Sequence, residues 1–239
     1  VLLDIEGTTT PIDFVYKILF PFARAKVKDF LRRNWFSAEL QGDLAQLWDE
    51  HLRDCSQGAQ PPVLVAAVGD FSEGRLDSAV AYIHWLMDRD RKATPLKAIQ
   101  GRIWQEGYEA GELLSQVFDD VPTAFARWRG QNKLISIYSS GSVLAQRLLF
   151  GHTREGDLTK FISHYFDTTV GHKADQGSYE RIADAMRLRP SEIIFASDVT
   201  AELDAARAAG LKTVLTLRPG NRPIESPTAH ATVSSFAAL

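Results

Sequence analysis

Val1-Leu2-Leu3-Asp4-Ile5-Glu6-Gly7-Thr8-Thr9-Thr10-Pro11 opens the chain: an apolar run stopped by an acid, a second acid two positions on, then a break into Gly-Thr-Thr-Thr-Pro. Apolar residues without polar alternation suit a strand buried on both faces, as in a parallel sheet. The glycine lets backbone come close to a ligand, and the threonines with free N–H groups offer donors to an anion. Because the chain starts inside this strand, a few residues before Val1 are expected. A three-residue apolar start that ends in an acid, with no basic region before it, does not read as a signal peptide.

The same design recurs. Lys133–Tyr138 ends at Ser139-Ser140, and Glu192–Ala196 ends at Ser197-Asp198. Thr213–Leu217 reads as a further strand and Phe161–Phe166 as a candidate one. Between them, residues 141–150, 175–188 and 200–209 have helix length and helix punctuation, with Pro190 and Gly210 beyond two of the ends. Alternating strands and helices predict an α/β fold, a doubly wound parallel sheet.

Residues 13–112 behave differently. Segments 13–34, 37–55, 74–90 and 94–110 carry apolar residues at three and four spacing, for example Ala79, Ile83, Leu86 and Met87. Thr94 is expected as an N-cap with Pro95 at the first helical position, and Pro21 is expected to kink or split the first helix. The predicted organisation is an α/β core of residues 1–12 and 113–239 with an inserted helical domain, 13–112. The tail from Pro219 reads as loop followed by weakly patterned sequence.

With 239 residues, 45% of them hydrophobic and 24% charged, the chain can bury a full core without a disulfide scaffold. Thirty acidic against 27 basic residues, with no basic block, argue against nucleic acid as a partner. Cys55, the single cysteine, points to a reducing compartment, the cytoplasm. Apolar windows such as 61–68 fall well short of the roughly 20 residues that span a bilayer, so no membrane segment is expected.

Ligands of open parallel sheets bind beyond the carboxyl ends of the strands, which places Asp4, Ser139, Ser140, Ser197 and Asp198 around one crevice if their strands are adjacent. Asp4 alone reads as readily as a structural cap. Asp4 with Asp198, however, makes a carboxylate pair suited to Mg²⁺, which keeps several waters and shares its shell with phosphate oxygens. Such a cation would let a carboxylate attack a phosphoryl group, and Asp is an adequate nucleophile for that. Ser139-Ser140-Gly141-Ser142 is either an ordinary helix N-cap or a phosphate cradle at a helix N-terminus. Lys173 is either a solvated charge or a point charge for phosphate. Glu202 and Asp204 read as acids favouring the first turn of a helix. His51, His84, His152 and His164 lack metal-ligand spacing, and His172 could touch a substrate beside Lys173. Trp35, Trp48, Trp85, Trp104 and Trp128 read as packing residues, and Arg32-Arg33 as a solvated helix end.

In that order and on those elements, Asp4-x-Glu6-Gly7-Thr8, Ser139-Ser140-Gly141, Lys173 and Ser197-Asp198 resemble the four motifs of the haloacid dehalogenase superfamily of phosphatases. The usual first motif has aspartate where this chain has Glu6. With the longer strings Asp-Ile-Glu-Gly-Thr-Thr-Thr-Pro-Ile, Tyr-Ser-Ser-Gly-Ser, Phe-Asp-Thr-Thr-Val-Gly-His-Lys and Arg-Pro-Gly-Asn, the chain is similar to the enolase-phosphatase (acireductone synthase) branch from Val1 to about Asn221.

That resemblance implies an enzyme that enolises 2,3-diketo-5-methylthiopentyl-1-phosphate and then removes phosphate, giving 1,2-dihydroxy-3-keto-5-methylthiopentene in methionine salvage; a sequence with no long coiled-coil repeat or obvious apolar edge reads as a monomer. The resemblance also implies one Mg²⁺ held by Asp4, Asp198 and the Glu6 main-chain carbonyl, Asp4 as nucleophile, and Glu6 in acid–base work. Ser139, Ser140 and Lys173 would hold the phosphate, and the helical insertion would be a cap that excludes water. A general small-molecule phosphatase and an inactive phosphate-binding module are the alternatives. A dehalogenase is disfavoured because it has no need of the paired metal carboxylates.

Overall fold

The computed structural model describes residues 1–65, 70–223 and 229–239. Residues 66–69, which include the end of the apolar window 61–68, and 224–228 of the tail lie outside the described residues. In chain order the elements are β1 (Leu2–Leu3), α1 (Ile12–Phe14), a π-helical turn (Val15–Leu19), α2 (Phe20–Asn34), α3 (Ala38–Ser56), α4 (Glu73–Asp88) and α5 (Thr94–Glu109). Then follow α6 (Val121–Gly130), β2 (Ser136–Tyr138), α7 (Val143–Gly151), β3 (His164–Phe166), α8 (Gln176–Met186), β4 (Ile194–Ser197), α9 (Thr200–Ala208), β5 (Lys212–Thr216) and β6 (Ala231–Val233). The chain divides into two compact units, Val1–Ile18 with Gly111–Leu239, and Leu19–Ala110.

The first unit holds a six-stranded parallel sheet in the order β3-β2-β1-β4-β5-β6. The chain steps outward from β1 through β2 to β3, then returns to β4 on the other side of β1. The doubly wound expectation holds, and the reversal falls at β1, the position beyond whose carboxyl end open sheets of this kind bind ligands. Leu2 pairs with Ser136 and Phe195, Leu3 with Ile137 and Ala196, and both leucines are fully buried. A two-residue strand suffices because it is clasped on both sides. One set of side chains, Leu2, Tyr138, Phe195 and Leu215, packs with Tyr179 and Ile182 of α8 and Leu203 and Ala206 of α9. Elsewhere, Phe125 and Trp128 of α6 meet Phe150 of α7 and Phe236.

Strand extents differ from the sequence reading. Segment 161–166 is strand only in its second half: Phe161 ends a 3₁₀ turn, Thr159–Phe161, and β3 begins at His164. β6 pairs with β5 inside the tail that reads as weakly patterned; it is an edge strand whose residues are mostly exposed, so it carries no apolar pattern.

The second unit is helical. Ala23, Val27, Phe30 and Leu31 of α2, Leu40, Leu44 and Leu47 of α3, Leu76, Ile83 and Leu86 of α4, and Leu96, Ile99 and Ile103 of α5 are its buried stripes. Ser37 and Ser72 cap α3 and α4 by accepting from the Leu40 and Arg75 amides. Two expectations need correction. Thr94 is not the N-cap: Ala93 stands there without a side-chain cap bond, and Thr94 begins the helix with Pro95 in its first turn, where the missing N–H costs nothing. The segment 13–34 is split as expected, but by the π turn ahead of Pro21, which lacks the N–H that would continue a regular ladder. Arg32 and Arg33 are exposed in the last turn of α2, as expected of a solvated helix end, and there they reach Glu73 at 3.0 Å and Glu106 at 2.7 Å, exposed pairs that add little to stability. Trp35 and Trp104 are buried as expected, whereas Trp48 and Trp85 are partly exposed.

Candidate active site

The loop after β1 is folded around one carbonyl. Ile5 O accepts from the amides of Thr8, Thr9 and Thr10 at 3.1, 3.0 and 2.9 Å, while Gly7 N donates to Thr10 O at 2.8 Å. Three successive threonines are fully buried here, and two of their hydroxyls have partners: Thr9 Oγ1 lies 3.2 Å from Asp4 O and Thr8 Oγ1 lies 3.1 Å from Thr216 Oγ1. This tight loop carries Glu6, partly exposed, and needs Gly7, whose φ of +68° is left-handed.

Asp4 itself is buried, 2% exposed. Its Oδ1 accepts from the Ile5 amide at 2.8 Å and from Lys173 Nζ at 2.6 Å; Oδ2 has the Ser197 hydroxyl at 3.2 Å. That hydroxyl also lies 2.9 Å from Glu202 Oε2, and it has one hydrogen to give. One Asp4 oxygen is therefore anchored twice, and the other shares a single donor.

Lys173 is buried and reaches Glu202 Oε2 at 2.7 Å besides Asp4. Its backbone is tied down from α8, where Tyr179 Oη donates to Lys173 O at 2.7 Å, while Tyr138 Oη of β2 donates to Gly171 O at 3.0 Å. Burial alone would lower the lysine pKa; the carboxylates of Asp4 and Glu202 outweigh it and hold the ammonium charged, with its pKa raised. Burial, then the nearby Asp4 charge, pushes the Glu202 carboxyl up to about 7. Asp198 is pushed up to about 7 for the same reasons in the same order.

Ser139 closes β2, its amide bonded to Phe166 O at 3.2 Å and its hydroxyl accepting from Gly141 N at 3.1 Å. Ser142 caps α7, so the last serine of the Ser139–Ser142 run fills the helix-cap role and Ser139 and Ser140 do not. Ser140 follows, partly exposed. The structure thus brings Asp4, Lys173 and Ser197 into direct contact and places Asp198, Ser139 and Ser140 at neighbouring strand ends. Glu202 is the residue whose part in the site the sequence reading missed. It does lie in the first turn of α9, but its carboxylate turns to Lys173 and Ser197; its position four residues after Asp198, one helical turn on, was the available signal. His172 is exposed, and its Nδ1 accepts from the Ala174 amide at 3.3 Å.

Among the described residues, no three His, Cys, Asp or Glu side chains form a metal cluster. Mg²⁺ requires none, since one or two carboxylates with waters and substrate oxygens suffice. The donor set fits it: a buried acid, Asp4, and a partly buried one, Asp198, follow the ends of adjacent strands, and Asp198 is disfavoured as an anion until a cation arrives. Gly7 keeps the space beside them open, because a Cβ there would run into the Asp198 carboxylate and Asn221.

Residues 1–210 match the haloacid dehalogenase-like hydrolase family. The chain belongs to that family. Within this hydrolase family it is similar to enolase-phosphatase E1 of Synechococcus elongatus, 47% identical over 224 residues, covering 94% of this chain and 90% of that one. This places the hydrolase among the enolase-phosphatases. A grapevine (Vitis vinifera) relative named as a probable bifunctional methylthioribulose-1-phosphate dehydratase/enolase-phosphatase E1 is 43% identical across 99% of this chain, which corresponds to 46% of that longer protein. Among solved structures, the UTR4 protein of Saccharomyces cerevisiae has a TM-score of 0.79 at 33% identity, covering 100% of this chain and 98% of that one. Among the described residues of the hydrolase, no helix is long and apolar enough to cross a membrane.

Proposed function

We propose that this hydrolase converts 2,3-diketo-5-methylthiopentyl-1-phosphate to 1,2-dihydroxy-3-keto-5-methylthiopentene and phosphate, by enolisation followed by phosphoryl transfer to Asp4. The observation that carries the reading is the Asp4–Lys173 pair at 2.6 Å, set where the strand order reverses and beside the loop bearing Glu6. The grapevine relative supports the substrate: loss of water from methylthioribulose 1-phosphate yields a diketo phosphate, so a dehydratase in the same chain makes what this reaction would consume.

Lys173 neutralises the phosphate oxygens as a point charge, while the Ser139 and Ser140 hydroxyls and the backbone amides after β2 orient them. In enolisation a proton passes from the carbon bearing the phosphate ester to a base, which stays protonated, and the neighbouring keto oxygen takes a proton from water to become the enol. Glu6, with a reach about 1.5 Å longer than aspartate, is the acid–base group placed to serve this step. Asp4 then attacks phosphorus, the P–O bond to the enol carbon breaks, and the leaving oxygen takes a proton from Glu6. Glu6 accepts a proton back from the water that cleaves the aspartyl phosphate. Mg²⁺, held by Asp4, Asp198 and the Glu6 carbonyl, would supply charge neutralisation for these anionic groups. Residues 13–112 form the cap that excludes water in this reading, and the enzyme acts as a cytoplasmic monomer with one Mg²⁺.

The test is to supply the diketo phosphate with Mg²⁺ and follow enol absorbance and phosphate together. Enol appearing before phosphate supports the reading. Phosphate released without enol, or from ordinary sugar phosphates at comparable rates, points instead to a general phosphatase.

A further inference from the structure

The Arg218-Pro219-Gly220-Asn221 string has no part in the chemistry above, yet it closes directly on the first-motif loop. Arg218 Nε donates to Thr8 O at 3.1 Å. Gly7 O accepts twice, from Thr216 Oγ1 at 3.1 Å and from Asn221 Nδ2 at 2.9 Å, and the same Nδ2 reaches Thr216 O at 3.0 Å. Both hydrogens of the Asn221 amide are thereby used on backbone carbonyls, which fixes the direction of its other end. That end, Oδ1, is buried and has no hydrogen-bond partner. It lies 2.8 Å from the point where a Cβ on Gly7 would stand, and Asp198 Oδ2 lies closer still to that point.

Two acceptor oxygens therefore flank one small gap above Gly7. Leaving a buried acceptor unmatched is costly, so a donor is called for. Asp198 has no hydrogen to give once it is ionised by a cation. Mg²⁺ retains several waters, each with two hydrogens, and groups beyond the direct ligands orient such waters and ligands.

We propose that Asn221 is a positioning residue of the cation site, accepting at Oδ1 a hydrogen bond from a water carried by the cation that Asp198 holds. The inference rests on the reading of Asp4 and Asp198 as cation ligands. It also explains why an amide serves here: aspartate would set a charge against two carbonyls, and leucine would offer no acceptor. Thr216 is the internal control, since it grips the same Gly7 carbonyl without presenting anything to the gap.

Calorimetric titration of Mg²⁺ into the substrate-free protein tests it, on the wild type, Asn221→Leu, Thr216→Val and Asp198→Asn. Asn221→Leu is expected to weaken Mg²⁺ binding about 10- to 100-fold, the usual range for such outer partners, while Thr216→Val stays within about 3-fold of the wild type. If Asn221→Leu does not fold by its melting curve, Asn221→Ala is read in the same way. Unchanged Mg²⁺ affinity in the Asn221 variant overturns the proposal, and so does an equal loss in Thr216→Val, which would make the asparagine a loop brace only. If the wild type and Asp198→Asn bind Mg²⁺ alike, the cation reading of the site itself fails.

Discussion

Lys173 Nζ lies 2.6 Å from Asp4 Oδ1 across 169 positions of sequence, with both side chains almost wholly buried. A buried ammonium is tolerated only with countercharge, and here Asp4 and Glu202 both supply it. The pairing serves two ends: it holds the lysine where phosphate oxygens would sit, and it offsets the burial of the carboxylate proposed to attack phosphorus.

Glu202→Gln removes one of the two anchors of Lys173 without changing side-chain size. The lysine is then held by Asp4 alone, and kcat/KM is expected to fall about 10- to 100-fold. Melting temperature should change little, because the lost bond to Lys173 is offset by relief from the Asp4 charge that pushes Glu202 upward. Steady-state kinetics with a parallel melting curve check both; unchanged kinetics would remove Glu202 from the site.

Gly7→Ala meets two obstacles. Its φ of +68° costs an L-residue about 1–2 kcal/mol, and the methyl would displace the Asp198 carboxylate. The expected result is a lower melting temperature together with weaker Mg²⁺ binding by calorimetry. Loss of stability with Mg²⁺ affinity intact would mean that Asp198 is not a ligand.

Asp198 and Glu202 both have carboxyls pushed up to about 7, above their values in an unfolded chain. An acid shifted in that direction stabilises the fold while protonated; the contribution is whole below about pH 4 and is lost as pH rises through about 7. Metal-free protein should therefore melt lower near pH 8 than near pH 5.5. Added Mg²⁺ should raise the melting temperature more at the higher pH, where the acids are ionised. Thermal scans with chelator and with Mg²⁺ at both pH values measure this, and equal Mg²⁺ effects would contradict it.

Glu6→Asp shortens the acid–base group by one methylene. If the longer reach serves enolisation, that step should slow more than phosphate release from the pre-formed enol phosphate, by about tenfold. Parallel losses, or none, would assign enolisation to another base.

Much of the architecture was legible because strands buried on both faces leave continuous apolar runs. The acids and serines ending those runs mark the strand ends where Asp4, Ser139 and Ser197 stand. What the pattern hid follows from the same logic. β6 is an exposed edge strand with no apolar face, so the Ala231–Val233 segment carried no signal. Glu202 looked like an acid placed for the helix dipole, because nothing local says that a lysine from another loop will turn toward it. Asn221 was visible only as part of a string, since its role depends on Gly7 O, 214 residues away.

The central claim is that Asp4 is the nucleophile, and Asp4→Asn tests it most directly. With Mg²⁺ and the diketo phosphate, the wild type should release phosphate after the enol forms. The variant, which keeps its shape but has no anionic oxygen to attack phosphorus, should release it at least about 10³-fold more slowly. Phosphate release by Asp4→Asn at a rate near that of the wild type would contradict the account.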